Sequence, residues 1–96
     1  MFKPICIIAA LSVGPASAQG EQHLCMQYGA LSQAIMIARQ NDAPINNVLA
    51  VMTKDSFKAF VLLAYTQPLY KSWENKNRAV RDFRSKVQTA CFKEFL

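Results

Sequence analysis

Over most of this chain the hydrophobic residues recur at steps of three and four, and no convincing stretch alternates apolar with polar. Leu24, Tyr28, Leu31, Ile35 and Ala38 share one face of a helix, with Cys25, Ser32 and Met36 beside it and Gln27, Gln33 and Gln40 largely elsewhere. Asn41-Asp42-Ala43-Pro44 stops this helix. Asp42 is placed to cap the next one, whose first turn tolerates Pro44. A short second helix over 45–52 puts Ile45, Val48, Leu49 and Met52 on one face. Thr53 or Asp55 then caps a third helix over 56–66, which is apolar nearly all round: Phe57, Phe60, Val61, Leu62, Leu63, Ala64 and Tyr65. A helix of that composition is expected to be central and buried. Pro68 ends it. Ser72 caps a fourth helix over 73–92, with Glu74 in its positive first turn and Trp73, Val80, Phe83, Val87 and Cys91 as its inward stripe. The pattern predicts an all-α fold, a compact bundle of about four helices.

The first eighteen residues differ in kind. Lys3 precedes an apolar run from Ile5 to Val13, Gly14-Pro15 breaks any helix, and Ala16-Ser17-Ala18 has the small-x-small form of a signal-peptidase site. The run is shorter than the roughly 20 residues a membrane-crossing helix needs. Residues 1–18 therefore read as a signal peptide cleaved near Ala18, and residues 19–96 as a single helical domain. Cys6 precedes most of the apolar run, where a lipidated cysteine would follow it, so it leaves with the leader.

Export changes how the cysteines are read. Cys25 and Cys91 remain, near opposite ends of the mature chain, and an even count in an oxidising compartment points to a disulfide joining the first and last helices. Two buried thiols or intermolecular pairing are the alternatives. The net charge of +5, one less without Lys3, favours anionic partners weakly.

Candidate chemistry is sparse. His23 is the only histidine, which disfavours a zinc site of ordinary composition and His-based nucleophilic machinery. The carboxylates are scattered, most with capping or salt-bridge roles. No catalytic residue, metal ligand or cofactor is assigned, and an enzyme is disfavoured. Along the fourth helix Glu74, Arg78, Asp82 and Lys86 alternate in sign at steps of four, as a solvated ladder does. Arg81 and Arg84, one turn apart, can form a small cationic patch, and Tyr65, Tyr70 and Trp73 cluster around Pro68. Tyr70, Trp73, Arg81 and Arg84 are the candidate partner contacts, set against an ordinary solubilising face and a packed bundle end. Arg39 reads as a helix ending; a clamp on backbone would require its burial.

The segments Cys25-Met-Gln-Tyr28, Ala34-Ile-Met-Ile-Ala-Arg-Gln40, Ala64-Tyr-Thr-Gln-Pro-Leu-Tyr70 and Phe83-Arg-Ser-Lys86, with Cys91, span most of the mature chain. Together they resemble small exported proteins of Gram-negative bacteria and their prophages. The resemblance implies an exported helical domain with one disulfide and transfers no site. Those proteins often carry a glycine in the turn after Ala-Arg-Gln, where this chain has Asn41-Asp42, which adopts left-handed geometry less freely. The expected function is a protein-binding or interaction module of the periplasm, with an anionic membrane surface as a further partner and no nucleic acid. The alternatives are a chaperone-like or stress protein, and a basic helical protein that binds membrane surfaces weakly. A carboxylate-triggered acid chaperone fits poorly with a basic chain.

Overall fold

The computed structural model describes the backbone of residues 4–95 and the side chains of residues 20 and 22–94. Its elements are α1 (Pro4–Gln40), α2 (Ile45–Ala50), α3 (Asp55–Tyr65) and α4 (Trp73–Phe95), and every regular element among the described residues is a helix. The helical backbone of α1 continues through Gly14-Pro15, where the sequence predicts a break. Proline's fixed φ is itself helical; its ring costs a hydrogen bond and local strain without forbidding the conformation. The side chains of the expected leader, including the cleavage position at Ala18, lie outside the described residues.

The centre of the bundle is α1, not α3. Both α3 and α4 pack on α1, α2 bridges α1 and α3, and α3 and α4 scarcely meet. This arrangement requires α1 to bury two faces. The predicted stripe is one of them: Ile35 is buried, and Tyr28, Leu31 and Ala38 pack half-buried against the core. Tyr28 meets Phe57 and Phe60 of α3 edge to face, with centroids 6.0 and 5.8 Å apart. The second face lies one residue on: Cys25, Gly29, Ser32, Met36 and Gln40, all buried. Small side chains at its start let α4 approach closely. A Cβ on Gly29 would run into the Gln88 side chain. The Ser32 hydroxyl, buried in this seam, donates to the Gly29 carbonyl at 2.8 Å.

Successive ties set the register of α4 against α1. Cys91 bonds to Cys25, Gln88 lies over Gly29, Arg84 donates to Gln33, and Lys76 reaches the Gln40 carbonyl. The two helices are therefore antiparallel, and Trp73 falls one turn beyond the end of α1. This explains why Trp73, predicted to face inward, is 67 % exposed, while Phe83 and Val87 of the same stripe are buried. Likewise α3, predicted to be buried, leaves Leu62 at 55 % and Leu63 at 44 % exposure, because only α1 and α2 cover it.

The helix ends follow hydrogen-bond supply. Asp42 sits at φ 62°, the left-handed position that glycine often fills, and closes α1. The Ala43 amide bonds to the Ala38 carbonyl and the Asp42 amide to that of Arg39, the paired bonds of a Schellman motif. Asp42 is thus used at the end of α1 and does not cap α2, whose N-cap is Pro44 without a side-chain bond. Nor do Thr53 or Asp55 cap α3: Lys54 occupies that position, and Asp55 contributes a first-turn charge. Ser72 does cap α4, accepting from the Asn75 amide at 3.1 Å.

The disulfide between Cys25 and Cys91 spans a separation of 66 residues, with Cα atoms 5.5 Å apart. Among the described residues the apolar core is a small cluster (Ile35, Met36, Val48, Val61, Ala64, Phe83 and Val87), so a covalent tie matters. Replacing both cysteines by alanine is expected to cost about 4 kcal/mol on the chain-entropy estimate. Urea unfolding should show a lower midpoint with far-UV helicity retained before the transition. Asp42→Val, which forces a β-branched residue to positive φ, should cost about 1–2 kcal/mol, whereas Asp42→Gly should be tolerated. Thermal melts of the pair test this.

Candidate functional site

Two concave surfaces flank the α1–α4 packing, and a polar clasp at the end of α1 positions the second. The clasp is made by consecutive residues, Arg39 and Gln40, holding the loop that joins α3 to α4. Arg39 donates from Nε and Nη2 to the Gln67 carbonyl at 3.1 and 3.0 Å, and its guanidinium lies 5.2 Å from the centre of the Tyr65 ring. Gln40 is 3 % exposed. Its Nε2 donates to the Pro68 carbonyl at 2.9 Å, and its Oε1 accepts from the Tyr70 amide at 3.0 Å. A side-chain amide offers the same donor and acceptor as a peptide, so it satisfies a loop that lacks a strand or helix partner. The main-chain carbonyl of Gln40 in turn accepts from Lys76 Nζ at 2.6 Å. Arg39 is therefore a backbone clamp as well as a helix ending, and it serves that role half-buried.

Tyr65 completes the clasp by donating its hydroxyl to the Ala43 carbonyl at 2.7 Å. Burial pushes its pKa above the ordinary 10.0, the Arg39 guanidinium pulls it back, and Asp42 adds a push upward. The folded state thus holds this proton more tightly than the unfolded chain does.

The structure separates the four candidate contact residues. Trp73 stands exposed beside a concavity of about 500 Å³ at the junction of α1 and α4, walled also by Ile37 and Val80, with Lys71 and Lys76 at its edge. Tyr70, half-buried, faces a different side of α4, towards Asn75, Arg78 and Asp82. Arg84 is half-buried and donates to Gln33, tying α4 to α1, while Arg81 is exposed. The two arginines do not act as one free patch. The ladder residues Glu74, Arg78, Asp82 and Lys86 are all exposed, as their alternation implied.

The first concavity went unforeseen in the sequence. Because α3 and α4 both lean on α1 and scarcely meet, an apolar groove of about 350 Å³ opens between them. Leu24 and Tyr28 form its floor, Phe60 and Leu63 one wall, and Val87 and Ala90 the other. Lys86 and Glu94 stand at the rim. The readable signal was the all-round apolarity of α3, which exceeds what one packed face uses. His23 lies apart, exposed, with its Nε2 3.2 Å from Gln27 Nε2. Among the described residues no group of three or more His, Cys, Asp or Glu side chains is placed to hold a metal ion.

No family model, curated protein or solved structure matches the chain.

Gln40→Ala should strand the Pro68 carbonyl and the Tyr70 amide and cost about 2 kcal/mol, with faster amide exchange at Tyr70. Gln40→Glu keeps the acceptor for Tyr70 but turns an oxygen on the Pro68 carbonyl, so it should not rescue. Tyr65→Phe should cost about 1 kcal/mol at neutral pH. The raised pKa makes this contribution complete below pH 10.0 and lost as pH rises through the folded-state value, so the gap between wild type and variant should close in alkali. Chemical unfolding across that range measures it.

Proposed function

We propose that this chain is a small exported, non-catalytic protein-binding module of the periplasm that takes an amphipathic helix of another protein into the α3–α4 groove. The exposure of its most apolar helix carries this reading. Leu63 is uncovered in the wall of a groove whose floor and walls are almost wholly apolar, and its neighbour Leu62 is exposed as well. Two helices splayed on a third leave the place a further helix would fill, and helix-in-groove recognition uses such apolar anchors. Export is supported by the leader-like layout of residues 1–18 and by the Cys25–Cys91 bond, since such bonds persist in oxidising compartments. Among the described residues no helix is long and apolar enough to cross a membrane.

Charge narrows the occupant. The rim is balanced, Lys86 against Glu94, so long-range preference falls to the whole mature chain, whose net charge is one less than the full chain's +5 once Lys3 is removed. That charge repels a second copy and attracts a partner helix with acidic flanks. The partner thus presents leucine-type anchors on one face and carboxylates beside them.

The test uses a synthetic amphipathic helical peptide with a leucine face and glutamate flanks, against the same peptide with lysine flanks. Fluorescence anisotropy should show saturable binding of the acidic peptide, weakened roughly tenfold or more by Leu63→Asp or Ala90→Asp on the facing walls. Both sites are exposed, so the melting temperature should hardly move. Equal affinity for wild type and both variants would sink the proposal. A periplasmic species captured by the wild type should be lost with the same two variants.

A further inference from the structure

The concavity around Trp73 is distinct in chemistry from the α3–α4 groove and independent of it. Its walls are apolar: the Trp73 indole, Ile37 at 42 % exposure, and Val80. Its polar groups are Lys71, Lys76 and the amide residues Gln40, Asn41 and Asn77, and among the described residues no carboxylate lines it. The acids nearest along the chain, Asp42 after Asn41 and Glu74 after Trp73, are both exposed and are not part of the wall.

The two lysines differ in a way that matters for binding. Lys76 is half-buried and held by the Gln40 main-chain carbonyl at 2.6 Å. A carbonyl fixes the ammonium without cancelling its charge. The remaining N–H donors of Lys76 are therefore pre-positioned, and a ligand need not order a long free side chain to use them. Lys71 is exposed and supplies a second, adaptable positive charge. An indole left 67 % exposed next to two uncompensated lysines is an apolar surface adjoining an anion receptor.

We infer that this pocket binds an anionic headgroup carried on an apolar body, with the headgroup at Lys71 and Lys76 and the body against Trp73, Ile37 and Val80. A soluble amphiphilic phosphate and a phospholipid headgroup share this chemistry. Both would leave the apolar part on the indole and the phosphate oxygens on ammonium and amide donors.

The molecule carries its own reporter, because Trp73 is the only tryptophan in the chain. Octyl phosphate, kept below its micellar concentration, is titrated against the full mature protein, with octanol as the uncharged control. The expected result is a saturable blue shift of Trp73 emission with octyl phosphate, absent with octanol at equal concentration. Lys71→Glu, at an exposed position, should weaken the response roughly tenfold or more with an unchanged melting temperature. Lys76→Ala should weaken it too, and an intact Lys71→Glu result keeps the inference testable if Lys76→Ala is unstable. A second arm uses vesicles of phosphatidylglycerol against phosphatidylcholine. A Lys71-dependent blue shift with the anionic vesicles assigns the ligand to a lipid surface, whereas binding of octyl phosphate alone assigns it to a free amphiphile. Emission that stays unchanged in both arms, or responds equally to octanol, or is indifferent to Lys71→Glu, overturns the inference. Leu63→Asp should leave this response intact, so failure here and failure of the α3–α4 groove are read separately.

Discussion

A helix at the centre of a small bundle must bury two faces at once, and this requirement on α1 governs the rest of the molecule. Its faces are made differently. The Tyr28, Leu31, Ile35, Ala38 side is large and apolar and receives α2 and α3 through aromatic and aliphatic contact. The Cys25, Gly29, Ser32 side is small and receives α4 by close approach. Side chains as small as Gly29 and Ser32 bring little apolar area of their own to that end. The covalent bond from Cys25 to Cys91 compensates there. At the other end the clasp of Arg39 and Gln40 holds the loop before α4.

The clasp shows how a buried polar residue stabilises without an apolar contact of its own. Gln40 lies where α1 ends, and both polar atoms of its amide are used by backbone groups of the α3–α4 loop. No buried side-chain nitrogen or oxygen among the described residues lacks a partner. Polar satisfaction here fixes where α4 begins relative to α1. It also fixes where Trp73 emerges, one turn past the end of α1 and left largely exposed beside Ile37.

Both concave surfaces follow from this geometry. With α1 central, α3 and α4 have no reason to meet, and the gap between them is apolar because each helix turns part of its apolar face towards it. With α4 overhanging α1, its first turn lacks cover, and the tryptophan there meets lysines instead of a core. The surfaces proposed to bind are thus the places where a small bundle runs out of helices to cover its own apolar residues.

Period, proline position, cap chemistry and cysteine parity together determined the class, the end of α1 and the bounds of α2, α3 and α4 within a few residues, the Ser72 cap and the pairing of Cys25 with Cys91 as the expected tie; the N-terminal start of α1 was not among them. The period also identified Ile35, Phe83 and Val87 as core. These are local properties: period, proline position, cap chemistry and cysteine parity depend on neighbours in sequence. What only the tertiary structure decided is which helix is central. Composition favoured α3, but burial depends on how many partners a helix has, and α1 offers two faces where α3 meets only α1 and α2. The second face was present in the sequence as small residues at Cys25, Gly29 and Ser32, and although Cys25 was read as the disulfide partner of Cys91, small residues carry a weak hydrophobic signal and do not mark a packing face until a helix lies across them. Gln40, four residues after Met36 on that same line, read as solvent-facing because a glutamine reveals its partners only once a loop some thirty residues away is folded against it.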